Sequence, residues 1–188
     1  MTAADHAVLV WQQIEAEIRS QAPALASRLL PSASPQALSR AEAALGVELP
    51  DSVVAVYLVH DGLGLPAVLE SRTRASALLP LAEMLEHWRS LTGLLDEGRF
   101  DDRAVEKVRG PIKADWYNRR WLPVASDGAG NYFCIDLDPA EGGKPGQVIA
   151  FRHDSPERWL EAPDLATFIA THLDVEEWAE REGGRPAR

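Results

Sequence analysis

The chain has one cysteine, Cys134, in 188 residues, which excludes an internal disulfide and a cysteine zinc centre. A chain this long buries roughly 70% of its unfolded surface and needs neither staple. Cys134 lies in an apolar run and reads as a small buried residue. Cationic excess is missing as well: 19 Lys and Arg face 29 Asp and Glu, a net charge of −10. That removes the usual electrostatic basis for binding nucleic acid or an anionic membrane surface. It leaves room for a basic protein partner. No apolar run approaches the length of a bilayer span. Asp5 stands where a secretory signal would be basic, so no signal is expected and the expected location is cytoplasmic.

Motifs of familiar chemistry are scarce too. No Gly-x-Ser-x-Gly elbow accompanies Ser126, His153 and Asp154, and His153-Asp154 reads as a turn. Gly142-Gly143-Lys144 lacks the following Ser or Thr and the strand–loop–helix setting of a phosphate loop. Asp127, Asn131, Asp136 and Asp138 are oxygen donors without the alternating rhythm of a calcium loop. His6, His87 and His172 fall on separate predicted helices and share no ligand spacing. No enzyme activity, metal or cofactor is expected.

What is there is a sheet. Trp121–Val124, Tyr132–Leu137 and Gln147–Phe151 read as strands, separated by turn-forming segments. Ser126 to Asn131 is one turn, and Asp138 to Gly146 is a longer loop holding Pro139 and Pro145. This predicts an antiparallel meander over about 121–152.

Helices are predicted around it. Residues 4–19 place Val8, Trp11, Ile14 and Ile18 on one stripe, and Ala24–Leu30 adds a further turn or two. Ser34-Pro35 starts a second helix with Leu38, Ala41 and Leu45 inward, stopped by Gly46. Leu49-Pro50-Asp51 starts a third, with Val53, Val54, Tyr57 and Leu58 inward, closed by Asp61-Gly62. That helix has no Arg or Lys, so the pair is a packing unit and not a DNA reader. Residues 65–80 are irregular, with Leu78-Leu79-Pro80 as a short edge strand. A fourth helix runs from Leu81 to Leu95, and Gly98 ends it. Residues 99–115 alternate charge and read as a solvated connection with at most a short helix. After a turn at 153–158, Trp159-Leu160 adds a short strand. Pro163-Asp164 then opens a last helix with Leu165, Phe168, Ile169, His172 and Leu173 on one face, extended through Glu176–Arg181 with Trp178 as a contact. The tail from Gly183 is expected to be disordered.

The order helix, Leu45-Gly46-Val47-Glu48-Leu49-Pro50, helix, Asp61-Gly62 resembles the opening of the SUKH superfamily, which contains the fungal Smi/Knr cell-wall assembly regulators. Later matches are Trp121-Leu122-Pro123-Val124-Ala125, Asp127-Gly128-Ala129-Gly130-Asn131 and Cys134-Ile135-Asp136-Leu137-Asp138-Pro139. Gly146-Gln147-Val148-Ile149, His153-Asp154 and the helix Pro163 to Leu173 follow. The resemblance covers roughly 34–173. It implies an α+β fold, a mainly antiparallel sheet flanked by helices, with no catalytic residues and no cofactor. It divides the chain into an N-terminal helical extension (1–30), a SUKH-like domain (31–175), and a helix end with a disordered tail (176–188). Bacterial members are often immunity proteins that neutralise a cognate toxin, frequently a nuclease. Fungal members are linked to regulation of glucan and chitin synthesis.

The expected function is therefore a non-enzymatic protein-binding module, first an immunity protein facing a basic toxin domain, alternatively a regulatory scaffold in cell-wall or polysaccharide synthesis. The expected contacts are acids and an amide at the sheet-end loops: Asp127, Asn131, Asp136, Asp138, Glu141 and Asp154. Trp116 and Tyr117 read either as core or as apolar interface anchors, and as anchors they complete the candidate site.

Overall fold

The computed structural model describes residues 1–63, 77–172 and 175. The expected continuation through Glu176–Arg181 with Trp178, the tail from Gly183, Leu173, and most of the irregular stretch 65–80 lie outside the described residues.

Helix α1 spans Ala3–Gln21. Thr2 Oγ1 accepts from the Asp5 N–H at 3.1 Å and the Asp5 carboxylate accepts from the Thr2 N–H at 2.8 Å, a closed capping box. Its buried face is Ala7, Val10, Trp11, Ile14 and Ile18. Val8, expected on that stripe, is 42% exposed. It lies about 100° around the helix from Ala7, off the face that 7, 11, 14 and 18 define. A 3-10 turn, Pro23–Arg28, follows.

Helix α2 (Pro35–Leu45) begins as its sequence dictates: Ser34 Oγ accepts from Ala37 N–H at 3.1 Å, and Gly46 ends the helix in the left-handed region at φ +66°. The Glu42 carboxylate accepts from Leu49 N–H at 2.9 Å and fixes the corner into α3 (Asp51–Val59). There Val53, Ala55, Val56 and Tyr57 are buried and Val54 is half-buried. Leu58, expected inward, is 44% exposed. A helix that is apolar on all sides gives no stripe from which to choose the buried face.

Asp61-Gly62 does more than end α3. Asp61 Oδ1 accepts from Leu81 N–H at 2.8 Å and so caps α4 (Leu81–Asp96) from a distant segment. Gly62 has φ +84°, and a Cβ there would meet Leu78 O at 2.6 Å, so only glycine allows this approach. Leu63 N–H donates to Leu78 O at 2.9 Å, and Tyr57 Oη–H donates to Leu79 O at 2.9 Å. These bonds seat β1 (Ala77–Leu78) at the sheet edge.

The remaining strands are β2 (Lys107–Arg109), β3 (Trp121–Ser126), β4 (Tyr132–Asp136), β5 (Gln147–Phe151) and β6 (Glu157–Ala162), before α5 (Leu165–His172). The sheet order is β1-β3-β4-β5-β6-β2. All neighbouring pairs are antiparallel except β2 with β6, which is parallel. Among the described residues, the predicted meander is therefore the centre of a six-stranded sheet. Strand β2 corrects the reading of 99–115 as a connection without strand. The alternating charges there gave no local strand signal, and the pairing comes from β6, far along the chain.

Alternation along the strands feeds two cores. One face carries Leu122, Val124, Ile135 and Val148 into a large cluster with α1, α2, α3, α5 and the first half of α4. The other carries Trp121, Cys134, Ile149 and Phe151 into a smaller cluster with Leu91, Ile112, Trp116 and Tyr117. That second face is covered mainly by the chain between α4 and β3, most of it a strap, residues 99–120. Helix α1 belongs to the first core: Trp11 is fully buried, and its Nε1–H donates to Val56 O at 3.1 Å.

Candidate partner-binding surface

Antiparallel geometry separates the sequence candidates. The β3–β4 turn and the β5–β6 turn lie at one end of the meander, and the β4–β5 loop lies at the other. Asp127, Asn131 and Asp154 thus share one end; Asp136, Asp138 and Glu141 share the opposite one.

At the first end the polar groups are largely occupied with each other. Asp127 Oδ1 accepts from the N–H groups of Ala129 (2.8 Å) and Asn131 (3.1 Å), and Asn131 Nδ2–H donates to Asp127 Oδ2 at 2.6 Å. This is an Asx-type turn that builds the loop. Asn131 Oδ1 in turn accepts from the His153 backbone N–H (3.3 Å) and ring Nδ1–H (3.1 Å), tying the two turns together. Ser126 Oγ accepts from Gly128 N–H at 3.1 Å. Asp154 is exposed.

At the second end, Asp136 is fully buried. Its carboxylate accepts from Trp121 Nε1–H (3.2 Å), Asp138 N–H (2.9 Å) and Gln147 Nε2–H (2.9 Å). Burial pushes its pKa up, opposed by these hydrogen bonds. Asp136 is therefore an internal brace between β3, β4 and β5 and not a surface acid, as the candidate set had it. Asp138 meets Lys113 Nζ at 2.5 Å and accepts from Asn118 Nδ2–H at 3.1 Å. The Lys113 and Asn118 hydrogen bonds hold its carboxyl below the usual range. Glu141 is exposed.

Trp116 and Tyr117, the expected anchors, are 8% and 3% exposed and face the second core. Tyr117 stands edge-on to Trp121 and Phe151, and its hydroxyl donates to Trp121 O at 2.9 Å. Burial raises its pKa and keeps it neutral. Of the two readings open for this pair, the geometry matches core.

Sequence reasoning missed the residue that holds Trp116. Arg158 is fully buried, with its guanidinium 4.9 Å from the Trp116 ring centroid and 4.8 Å from that of Phe151. It donates to Trp116 O (2.5 Å), Glu157 O (2.7 Å) and Ser155 O (2.8 Å). Burial pulls its pKa down to about 10, so it remains a cation near neutral pH. Its sequence context, a turn followed by Trp159, offered no sign of burial. A second missed feature is charge distribution. Residues 1–63 and 81–98 together carry a net −7, whereas 99–120 carry seven Lys and Arg against four acids, a net +3. All seven cations are exposed.

Among the described residues no group of three or more His, Cys, Asp and Glu is arranged to hold a metal ion, and no helix is long and apolar enough to cross a membrane. Cys134 is buried and its thiol pKa is raised by that burial.

Comparison with known proteins brings these features together. A profile of the SMI1 / KNR4 family (SUKH-1) matches residues 32–171. The cell wall assembly regulator SMI1 of Saccharomyces cerevisiae is 23% identical over 210 positions, covering 91% of this chain and 41% of that protein. The cell wall biosynthesis/cell cycle regulator smi1 of Schizosaccharomyces pombe is 28% identical over 134 positions, 65% of this chain and 26% of that protein. The glucan synthesis regulatory protein of Neurospora crassa is 24% identical over 196 positions, 85% of this chain and 36% of that protein. This chain spans less than half the length of each. The relatives' names are those of regulators and not of enzymes. On the match across 32–171, with the fold just described, the chain belongs to the SMI1/KNR4 family (SUKH-1).

Proposed function

We propose that this chain is a non-enzymatic protein-binding module that regulates cell-wall or polysaccharide synthesis, acting in the cytoplasm. The observation that carries the reading is the family match over 32–171, with relatives named as regulators of cell wall assembly and glucan synthesis. The chemistry of the chain supports it. Both faces of the sheet are packed with side chains, and the polar groups of the meander loops are largely used in building turns. Ser126, His153 and Asp154 form no nucleophile–base pair: Ser126 Oγ serves the backbone of its own turn and His153 serves Asn131. Such a module acts by holding a partner and not by transforming a substrate. Glu141 and Asp154, exposed at opposite sheet ends, are the sequence candidates best exposed for contact.

A second reading is an immunity protein that neutralises a basic, nuclease-type toxin. One observation favours it, the net −7 of residues 1–63 and 81–98, which would attract a basic domain. Affinity capture from the protein's own cells separates the two. Proteins of polysaccharide synthesis among the specific partners support regulation. A basic nuclease-like polypeptide, released by high salt, supports neutralisation and counts against regulation.

A further inference from the structure

We infer that the outer surface of the strap, residues 99–120, is a docking surface for an acidic segment of a partner protein. This deepens the protein-binding reading and rests on it. The strap carries net +3 in a chain of net −10, so the rest of the molecule carries −13. Four of its seven cations have carboxylate partners on the molecule: Lys107 and Arg109 meet Glu157, Lys113 meets Asp138, and Arg119 meets Asp96. Among the described residues, Arg99, Arg103 and Arg120 are exposed and none has a carboxylate at ion-pair distance, although Arg120 acts on Asp138 from further away.

The surface beneath them is firm. Arg103 lies 5.0 Å from the Trp116 ring centroid, and the fully buried Arg158 lies 4.9 Å from it, so Trp116 fixes the exposed guanidinium over a packed base. Phe100, next to Arg99, packs on Tyr117 with ring centroids 6.2 Å apart. Arg103, held in this way, loses little side-chain freedom when it meets a carboxylate and can bind it bidentately. The charge of the remainder selects the class of partner. A long nucleic acid or a charged membrane plane would also face the −13 beyond the strap, whereas a short acidic segment meets the strap alone within a Debye length of about 8 Å.

The test is fluorescence anisotropy with a labelled Glu/Asp-rich peptide, its Gln/Asn counterpart, a single-stranded oligonucleotide, and phosphatidylserine vesicles. The variants are Arg99→Glu/Arg103→Glu/Arg120→Glu on the strap and Lys144→Glu/Arg152→Glu off it. The acidic peptide is expected to bind the full chain in a salt-sensitive way. The strap variant is expected to weaken it by about tenfold or more, with little change in the other variant. If loss of the Trp116 stack unfolds the triple variant, the double Arg99→Glu/Arg120→Glu replaces it. Equal binding of the Gln/Asn peptide, equal effects of the two variants, no binding, or tighter binding of oligonucleotide or vesicle overturns the inference. Cellular partners captured equally by wild type and strap variant would overturn it too while leaving the protein-binding reading intact. A capture with no specific partner removes that reading instead, and the peptide titration then decides the strap separately.

Discussion

Asp136 and Asp138 lie two residues apart and are pushed in opposite directions by their surroundings. Burial raises the pKa of Asp136, so the folded protein holds that proton more tightly than the unfolded chain does. As pH rises past the ordinary value of 3.8, the unfolded chain ionises first, and this residue's contribution to stability falls until the folded carboxyl has ionised. For Asp138, hydrogen bonds from Lys113 and Asn118 lower the pKa, and its contribution is present above 3.8 and lost as pH falls through the lower folded value. Urea unfolding of Asp136→Asn should therefore show its smallest deficit against wild type near neutral pH and its largest below 3.8. Asp136→Ala removes the acceptor shared by Trp121 Nε1–H, Asp138 N–H and Gln147 Nε2–H and should cost about 2–4 kcal/mol. A flat difference across the pH range would remove the burial argument. Arg158 makes a parallel case. Arg158→Met keeps most of the volume but removes the hydrogen bonds to the carbonyls of Trp116, Ser155 and Glu157, and should also cost about 2–4 kcal/mol, with a change in tryptophan emission as the strap loosens. Unchanged stability and emission would mean that the strap is held by its apolar contacts alone.

At the scale of elements, α1 lies outside the family match, which starts at residue 32, yet Trp11 fills the first core and bonds to α3. Trp11→Ala should cost about 3–5 kcal/mol, measured by urea or thermal unfolding. A chain begun at residue 32 should lose cooperative unfolding. If it unfolds cooperatively with unchanged stability, α1 is an accessory. The sequence showed the meander almost residue for residue because its strands are apolar and its turns are punctuated by Gly, Asp and Asn. It showed Ser34 and Gly46 as caps for the same local reasons. It hid what depends on distant partners: β2, which pairs only because β6 comes beside it, and Asp61, whose carboxylate caps a helix that begins twenty residues later. The candidate site was legible in composition but not in placement. Loops adjacent in sequence alternate between the two ends of an antiparallel sheet, and neither the burial of Asp136 nor the cover of Trp116 by Arg103 and Arg158 leaves a periodic trace.

At the scale of the whole molecule, charge is what the fold organises. Residues 1–63 and 81–98 hold a net −7 and the strap a net +3, so charge of opposite sign falls on different segments of the chain. Under the proposed reading, a module that joins partners can use such a division, since segments of opposite charge attract different classes of protein. The relatives are more than twice as long, so in them this unit is one part of a larger regulator. The most direct measurement is affinity capture of the tagged full chain from its own cells, identified by mass spectrometry at low and high salt. Regulation predicts specific recovery of proteins that make or control wall polysaccharide. Recovery of a basic toxin-like polypeptide alone, or of no specific partner, would contradict it.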